Sequence, residues 1–362
     1  MSLEEWQDWK KKLRKWALEL GFIAVGFTTA QPIKGLNGLL QVRLEQGVST
    51  PFESQIIQQR VDPKAVWQDC RGVVALGYEL PLTVAPEKGE GILARSAIGE
   101  DYHRVINQKL KELAEIMAEN HWPGAIRWQV DTGPLVERAF AVRAGLGWIG
   151  RNQQLIIPGY GSFVGLALLL LNHELPSDEM ILDKCGSCRK CIQACPAQIL
   201  GKEIFAAKRC YSYLTQSKEV LTPEERIGLG NRIFGCDTCQ EACPHNQQRL
   251  QEEMQMVSAA GKKRGVDLVD TLNLTKGEFR ERFLHTAAGW RGKGILQRNA
   301  FLALRNLQDP RLKSWLVDKE RALPPILTPY LEEVMEDDVQ RENLRSTNRP
   351  IRCNASSSCS RE

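Results

Sequence analysis

The sequence has 362 residues, of which 43% are hydrophobic and 25% charged, and its formal net charge is +4. These proportions are ordinary for a globular protein and exclude a disordered, collagen-like or fibrous chain. The small net charge also excludes a polycation, so any surface that binds nucleic acid must be local. At about 150 residues per domain, the length predicts two or three domains.

The sequence contains no apolar stretch that approaches the roughly 20 residues needed to span a bilayer. Its longest apolar run, over residues 163–171, is typical of a buried strand. Basic residues over positions 10–15 interrupt the apolar core that a signal peptide would require. We therefore expect a cytoplasmic protein that does not bind a membrane.

The N-terminal part of the chain alternates predicted helices and strands. The first helix begins at a capping-box pattern, Ser2 with Glu5, and ends before Gly21. Its three tryptophans recur at helical spacing, which favours core packing over a membrane or partner surface. Strands are predicted over residues 22–28, 73–78, 128–130 and 163–171, and helices over residues 36–46, 105–120 and 135–144. This alternation indicates an α/β domain with a layered sheet over residues 1–178.

Three further segments follow this domain. Residues 179–250 are rich in cysteine and poor in predicted strands. Residues 265–342 are predicted to be helical, and the helices over 276–284 and 293–307 resemble an antiparallel pair of the HEAT type. The polar tail, residues 343–362, is predicted to be disordered.

The cysteines carry the strongest functional signal. Eight of the eleven fall between residues 185 and 243, which indicates metal ligands in a chain without an export signal. The first four follow the pattern C-x2-C-x2-C-x3-C-P, which is the bacterial 4Fe–4S motif. A second run, C-x2-C-x3-C-P, lacks one ligand because Ile233 stands at the missing position, and Cys210 is the remaining cysteine of the region. The pattern predicts a ferredoxin-like domain with two 4Fe–4S clusters.

The ligands of each cluster follow from the ferredoxin pattern, in which the cysteine before proline binds the other cluster. The predicted ligands of cluster one are Cys185, Cys188, Cys191 and Cys243. The predicted ligands of cluster two are Cys195, Cys210, Cys236 and Cys239. A pair of zinc sites is the alternative, because C-x2-C pairs also bind zinc. Two neighbouring clusters favour electron transfer over a purely structural role.

Asp131 is the candidate for acid–base chemistry because it ends a predicted strand in an apolar neighbourhood. Such a carboxyl can have a raised pKa and donate a proton, or it can form an Asx-turn or cap the next helix. His103 stands in the D-x-H pattern of a cobalamin-ligating loop, but Ile106 replaces the glycine of that pattern. The G-x-G-x-x-G at residues 145–150 follows a helix, which favours a tight turn over a dinucleotide site.

In combination, these motifs resemble the epoxyqueuosine reductase family over roughly residues 1–310. Besides the two cysteine runs, the resemblance rests on Arg60-Val-Asp-Pro, Ala94-Arg95, Asp101-Tyr-His103, Val130-Asp131-Thr-Gly-Pro-Leu-Val-Glu-Arg-Ala, Ala144-Gly-Leu-Gly-Trp-Ile-Gly-Arg-Asn152, Cys210-Tyr-Ser-Tyr-Leu-Thr and Gln297-Arg-Asn-Ala. The chain departs from the family pattern at Ser96, where tyrosine is expected, and at Arg151, where lysine is usual.

The resemblance implies an activity, its cofactors and several site residues. Members of the family reduce epoxyqueuosine at the tRNA wobble position to queuosine, using cobalamin and two 4Fe–4S clusters on a core like that of reductive dehalogenases. By resemblance, Asp131 is the proton donor and lies at the cobalamin. Arg60 and Ser212 fall in segments that contact cobalamin, and Asp101 and His103 lie near the substrate.

The resemblance also gives a role to the basic residues of the helical segment. Eight Lys or Arg and three Asp or Glu lie between residues 276 and 312, a local charge of +5. Such residues can hold the phosphates of an anticodon stem-loop, although a solvated helical face is the alternative. The candidates for tRNA contacts are Arg280, Arg291, Lys293 and Arg298, to which Lys262, Lys263 and Arg264 add.

Two other functions remain open from the sequence. The nearest is a corrinoid and iron–sulfur reductase that acts on a small molecule, as dehalogenases do. The second is an electron-transfer or RNA-binding module without chemistry of its own. For the reductase, we expect an external reductant such as a flavodoxin or a ferredoxin.

Overall fold

The two longest β-strands lie where the sequence has its apolar runs. The computed structural model describes residues 2–255, 262–317 and 323–331. Its strands are β1 (Ala24–Thr29), β2 (Gly72–Glu79), β3 (Thr83–Val84), β4 (Gly91–Leu93), β5 (Ile126–Gln129), β6 (Trp148–Ile149), β7 (Leu155–Ile156), β8 (Val164–Leu171), β9 (Arg232–Phe234), β10 (Lys262–Lys263) and β11 (Gly265–Val266). All four predicted strands are present, with each end within two residues of its predicted position.

The first helix begins at its predicted cap. Ser2 Oγ accepts a hydrogen bond from the Glu5 backbone N–H and the Glu5 carboxylate accepts one from Ser2, so the predicted capping box is confirmed. The helices are α1 (Leu3–Glu19), α2 (Leu36–Glu45), α3 (Ile57–Val61), α4 (Pro63–Val66), α5 (Tyr102–Glu119), α6 (Glu137–Arg143), α7 (Lys190–Ala194), α8 (Tyr211–Leu214), α9 (Pro223–Gly228), α10 (Thr238–Glu241), α11 (Gln247–Gln255), α12 (Leu268–Leu272), α13 (Lys276–Arg282), α14 (Lys293–Asn306) and α15 (Arg311–Val317).

The main sheet has four strands in the order β1-β2-β8-β5, and every neighbouring pair is antiparallel. Alternation of helices and strands usually produces parallel neighbours. Here the connection from β1 to β2 starts and ends at the same end of the sheet, as does the connection from β5 to β8. The strands they join therefore run in opposite directions.

Helices cover both faces of this sheet, as the predicted layered architecture requires. On one face, Trp9 and Leu13 of α1 pack into a core with Leu110 and Leu113 of α5. On the other face, Phe140 of α6 packs into a second core against the opposite side chains of β2 and β8. The core-packing interpretation of the N-terminal tryptophans is thus confirmed. In the part of the chain that the structure describes, no helix is long and apolar enough to cross a membrane.

A small second sheet joins the three predicted segments. Strand β4 of the N-terminal segment pairs with β9 of the cysteine-rich segment and with β11 at the start of the helical segment. The cysteine-rich segment otherwise consists of short helices and turns, in agreement with its low predicted strand content. Residues 1–317 accordingly form one compact unit.

The helices predicted for the C-terminal segment are present as α13 and α14. Helix α14 packs mainly against α12 and β9, and a HEAT-type pairing of α13 with α14 stays a prediction. The predicted disordered tail, residues 343–362, lies outside the described residues.

A buried ion network around Arg95 connects these parts. The guanidinium of Arg95 contacts Asp237 (3.2 Å), Glu241 (2.9 Å) and Glu253 (2.6 Å), and its side chain is only 3% exposed. Arg264 adds a second guanidinium to Asp237 and Glu241. Burial would lower the pKa of Arg95, but the three carboxylates outweigh burial and raise it. The network can persist in the interior because each buried charge has an opposite neighbour.

Loss of Arg95 should be costly for this reason. We expect Arg95→Met to lower the free energy of unfolding by about 3–5 kcal/mol, because it leaves buried carboxylates without their cation. Urea unfolding of the cluster-loaded protein under anaerobic conditions measures the change. The matched control is Arg311→Met, since Arg311 also contacts two carboxylates but is half exposed, and its cost should stay below about 1 kcal/mol. Equal costs for the two variants would contradict this account of the network.

Candidate active site and cluster ligands

The first predicted set of cysteines surrounds one cavity. Cys185, Cys188, Cys191 and Cys243 line a space of about 180 Å³ together with Asn152 and other side chains. Burial raises the pKa of Cys191 and of Cys243, and the neighbouring thiols of the same set raise both further. The structure therefore brings together the four cysteines that the sequence predicts as ligands of cluster one.

The second set converges separately. Burial raises the pKa of Cys239, and Cys236, Cys210 and Cys195 raise it further. Burial likewise raises the pKa of Cys210 to about 11, with a contribution from Cys236 and Cys195. Thiols with such pKa values ionise at neutral pH only when a metal supplies compensating positive charge. These are the four cysteines that the sequence predicts as ligands of cluster two.

Two short helices explain why the last cysteine of each run belongs to the other set. Helix α7 contains Cys191 and is followed directly by Cys195, and α10 contains Cys239 and is followed by Cys243 after one residue. The two helices pack against each other. The end of each helix therefore delivers its final cysteine to the cysteines of the opposite run.

The cavities fit iron–sulfur clusters better than zinc. Zn–S bonds of about 2.3 Å would hold four thiolates about 3.8 Å apart. Among the described residues, no three His, Cys, Asp or Glu side chains converge tightly enough to hold a single metal ion. The buried Nδ2 of Asn152 has no hydrogen-bond partner and lines the first cavity. A cluster sulfur atom can accept that hydrogen bond.

Asp131 lies at the carboxyl end of β5 and faces the start of α5. Its Oδ2 accepts a hydrogen bond from the Tyr102 hydroxyl (2.6 Å) and lies 3.3 Å from His103 Nε2. The other ring nitrogen of His103, Nδ1, lies 2.6 Å from Asp101 Oδ1. Two carboxylates thus flank one imidazole, and the Asp131 side chain remains 59% exposed. The structure brings together Asp101, His103 and Asp131, which the sequence assigns to one active site.

The protonation of this group differs from the sequence-based expectation. Burial would raise the pKa of Asp131, but hydrogen bonds from His103 and Tyr102 outweigh burial and lower it. The expected raised pKa of Asp131 is therefore wrong, because two donors stabilise the carboxylate. Burial would also lower the pKa of His103, but Asp101 and Asp131 raise it to about 9. At neutral pH the proton accordingly resides on His103.

The alternative role of Asp131 as a helix cap is also wrong. Helix α6 begins after Val136 without a side-chain cap, and the hydrogen bonds of the Asp131 carboxylate go to Tyr102 and His103. As for the cobalt-ligand alternative at His103, both ring nitrogens of that residue already face carboxylates.

The two residues predicted to contact cobalamin, Arg60 and Ser212, occupy different settings. Arg60 Nη1 pairs with Glu53 (2.8 Å), and the Arg60 carbonyl accepts a hydrogen bond from the Val136 backbone N–H. One nitrogen of the Arg60 guanidinium is therefore already paired with a carboxylate of the protein. Ser212 is partly exposed on α8, two residues after Cys210.

Three residues at the site lie within the motifs that resemble the family, but the sequence alone assigned them no role. Tyr102 stands between Asp101 and His103, and that position was its only hint. Glu137 accepts a hydrogen bond from the Asp131 backbone N–H (2.6 Å). Arg138 donates to the Gln153 carbonyl, and the charge of Asp131 raises its pKa against the larger lowering effect of burial. The contacts of Glu137 and Arg138 depend on how the loop before α6 folds back.

Two of the basic residues proposed for tRNA contact are instead structural. Arg298 is fully buried, and its guanidinium donates to the carbonyls of Leu214 and Ser217. The prediction for Arg298 is wrong because this residue faces the core side of α14. Arg264 is also buried, in the ion network of Arg95. The basic pattern of the sequence could not separate such inward-facing arginines from exposed ones.

The other basic candidates lie at or near the surface. Arg280 is exposed on α13, as are Lys262 and Lys263 on β10. Lys293 Nζ donates to the Leu274 carbonyl (3.0 Å), and Arg291 Nε donates to the Gln216 carbonyl (2.8 Å). Their predicted contacts with tRNA stay predictions.

Next to Arg291 lies a cluster of aromatic rings, which we call the aromatic platform and define as Phe52, Tyr213, Trp290 and Arg291; the Tyr213 side chain is buried. The ring of Phe52 lies 5.1 Å from that of Tyr213 and 5.0 Å from that of Trp290. The Arg291 guanidinium lies 4.7 Å from the Trp290 ring. Phe52 is 43% exposed and Trp290 is 54% exposed. The platform adjoins Ser212 through Tyr213 and the Arg60 ion pair through Phe52.

Comparisons with known proteins agree with this geometry. Residues 60–132 match the family model "Epoxyqueuosine reductase QueG, DUF1730", and residues 184–246 match "4Fe-4S double cluster binding domain". The chain is 37% identical to an epoxyqueuosine reductase of Bacillus subtilis (strain 168) over 83% of this chain and 80% of the relative.

Two solved structures are similar over most of their length. One is an epoxyqueuosine reductase with an epoxyqueuosine-modified tRNA-Tyr stem loop, with 36% identity, a TM-score of 0.78 and coverage of 86% of this chain and 84% of that one. The other is an epoxyqueuosine reductase of Bacillus subtilis whose catalytic aspartate loop is swung out of the active site. It has 36% identity, a TM-score of 0.77 and coverage of 87% of each chain.

The grouping of the cysteines can be tested by removing one of them. We expect Cys210→Ser to lower the iron content of anaerobically reconstituted protein from about eight atoms per chain to about four, because it removes one ligand of cluster two. Cys70→Ser is the control, since Cys70 is buried in the α/β domain away from both sets. Iron and sulfide analysis, with the EPR spectrum of the reduced protein, provides the measurement. Retention of both clusters in Cys210→Ser would exclude Cys210 as a required ligand.

Proposed function

Because this chain belongs to the epoxyqueuosine reductase family of oxidoreductases, we propose that it reduces epoxyqueuosine at the tRNA wobble position to queuosine. The proposal rests on the accessible Asp131 carboxylate, which the Tyr102 hydroxyl and the His103 ring both contact. The same chain also groups eight cysteines in two sets. The first solved relative binds the modified tRNA stem loop that this reaction would use.

The reaction sets the requirements that the site must meet. Removal of the epoxide oxygen breaks two C–O bonds and forms one C=C bond. It consumes two electrons and two protons, and the oxygen leaves as water. A protein that performs this reaction therefore needs a source of single electrons and a proton donor at the departing oxygen.

Iron–sulfur clusters and cobalamin are the electron-carrying groups of the proposal. Bound cobalamin would supply low-valent cobalt as a nucleophile or reductant for the epoxide carbon, and the clusters would supply electrons one at a time. Asp131 and Ser212 offer accessible polar groups for it. Arg60 offers only the atoms that Glu53 leaves free.

The residues of the chain itself supply the proton. Asp131 is the group nearest to solvent in the constellation, so it is the one that can face the departing oxygen. His103 holds a proton at neutral pH and lies 3.3 Å from Asp131 Oδ2, so it can pass that proton to Asp131 for delivery to the departing oxygen. Asp101 stabilises the imidazolium from the opposite side. Tyr102, whose pKa burial and Asp131 raise well above its ordinary value, stays a donor that orients the carboxylate.

We assign tRNA binding to the surface around the helical segment. Arg280, Lys293 and Arg291 remain candidates for phosphate contacts in the segment of residues 265–342. The aromatic platform adds exposed rings on which an unstacked nucleobase can lie, as in other proteins that bind single strands. A wobble nucleoside must leave the anticodon stack to reach Asp131, which makes a stacking surface beside the site useful. Residues 1–178 would then hold substrate and cobalamin, and residues 179–250 the clusters.

The activity can be tested on the anaerobically reconstituted protein. The protein is incubated with a strong reductant and epoxyqueuosine-containing tRNA, with and without cobalamin. The tRNA is then digested, and the masses of its nucleosides are measured by mass spectrometry. Loss of one oxygen only in the presence of cobalamin is the expected result. No loss from tRNA, with both clusters and cobalamin bound, would favour a reductase of small molecules. A flavodoxin and a ferredoxin can then replace the chemical reductant to identify the physiological donor.

The proton path predicts a specific pH dependence. His103 carries a proton below its pKa of about 9 and loses it above, so kcat should fall as the pH rises through about 9. His103→Gln should lower kcat by about 100-fold or more at neutral pH, because general acid–base groups contribute that much. The control is His121→Asn, since His121 is exposed and its backbone adopts the left-handed conformation, which asparagine tolerates. A wild-type rate that stays constant up to pH 10 would exclude His103 as the proton store.

The aromatic platform predicts a separate effect on tRNA affinity. Trp290→Ala should raise the KM for tRNA by about 10-fold with a smaller change in kcat, because one base stack contributes about 1–3 kcal/mol. Ile227→Ala is the control, since Ile227 is another exposed apolar side chain. Steady-state kinetics with tRNA as the varied substrate provides the measurement. An unchanged KM in Trp290→Ala would remove the platform from the tRNA-binding surface.

A further inference from the structure

Glu137 is a buried carboxyl at the first turn of α6 that the proposed proton path does not use. Its Oε1 accepts hydrogen bonds from the Asp131 backbone N–H (2.6 Å) and from Gln129 Nε2 (3.1 Å). We propose that Glu137 is a positioning residue that holds the loop carrying Asp131 in the active site. This inference rests on the proposed function of Asp131, but its contacts are independent of the substrate.

The loop between β5 and α6 needs such an anchor because its backbone is strained. Asp131 has φ +53°, a left-handed conformation that residues other than glycine seldom adopt and that persists only where the surroundings hold it. The next residue, Thr132, turns back so that its N–H reaches the Val130 carbonyl. The bond to Glu137 is the contact that the Asp131 N–H makes, so it holds the Asp131 peptide in that conformation.

Gln129 completes the anchor from the strand side. Its Nε2 donates to the Leu135 carbonyl (3.0 Å) as well as to Glu137, and its Oε1 accepts from the Leu135 N–H (3.3 Å). A Cβ atom at Gly133 would lie 2.3 Å from Gln129 Oε1, so the loop packs directly on this side chain. Both ends of the loop are therefore tied to one buried pair, Gln129 and Glu137.

The charges that face Glu137 couple it to Asp131. Burial and, to a smaller extent, the charge of Asp131 raise the pKa of Glu137 to about 8, against the lowering effects of Gln129, the Asp131 N–H and Arg138. The acid form, which prevails at neutral pH, still accepts the hydrogen bond of Asp131 through its carbonyl oxygen. Ionisation above about pH 8 adds a second negative charge beside Asp131, which changes the proton affinity of that carboxylate.

The test compares two substitutions at Glu137. Glu137→Gln keeps an amide oxygen that can accept from Asp131 and resembles the acid form, so kcat at pH 7 should stay within about threefold of wild type. Glu137→Ala should lower kcat by about 100-fold with a change of less than threefold in the KM for tRNA, since a misplaced catalytic group has this effect. The matched control is Glu225→Ala, because Glu225 also accepts from a backbone N–H at a helix start, that of Thr222. It should leave kcat unchanged.

Two further readouts separate positioning from general stability. The wild-type pH profile should have an inflection near pH 8 that Glu137→Gln lacks. Amide hydrogen exchange of the cluster-loaded protein, without tRNA, should increase over residues 130–136 in Glu137→Ala but not within α6. A kcat of Glu137→Ala within twofold of wild type, a loss that Glu137→Gln does not rescue, or unchanged exchange in the loop would each overturn the proposal.

The exchange experiment also separates this proposal from the proposed function. If the wild-type protein does not convert epoxyqueuosine, the proposed function fails, whereas faster exchange of the loop in Glu137→Ala would still support the anchor. If conversion occurs and exchange is unchanged, only the role of Glu137 fails.

Discussion

The structure depends on one buried guanidinium. Arg95 follows β4 and forms ion pairs with carboxylates of the second cysteine run and of α11. One of them, Asp237, lies between Cys236 and Thr238, so the same ion pair that satisfies Arg95 also positions the ligand loop of cluster two. Because a charge in the protein interior needs a partner, this network ties the ligand loop of cluster two to the segment that follows β4.

The active site also depends on interactions between neighbouring charged groups. Three carboxyls, those of Asp101, Asp131 and Glu137, lie around one imidazole and one strained turn, and their neighbours shift their pKa values in different directions. Hydrogen bonds lower the pKa of Asp101 and of Asp131, whereas burial and the charge of Asp131 raise that of Glu137. Two short stretches of chain, residues 101–103 and 129–137, thus provide an accessible carboxylate, a stored proton and an anchor for the loop.

The surface proposed for tRNA binding combines basic residues with the aromatic platform. Basic residues give a contact that is strong at low salt but independent of base identity. The aromatic platform gives contact with bases, and it forms only because Phe52, Tyr213 and Trp290 come from three separate parts of the chain. A nucleoside that must leave its stack to react gains from both kinds of contact beside the site.

The sequence by itself determined what short-range interactions decide. Cysteine spacing predicted the two ligand sets because, in short helices such as α7 and α10, the number of residues between two cysteines fixes the directions in which their side chains point. Capping boxes and apolar runs predicted α1 and the strands for the same local reason. Only the tertiary structure decided that Asp131 is ionised, that Glu137 anchors its loop and that Arg298 is buried. Each of these depends on contacts between residues distant in sequence or on the direction in which a helix faces, and the pKa of a group follows from the neighbours that such contacts bring to it.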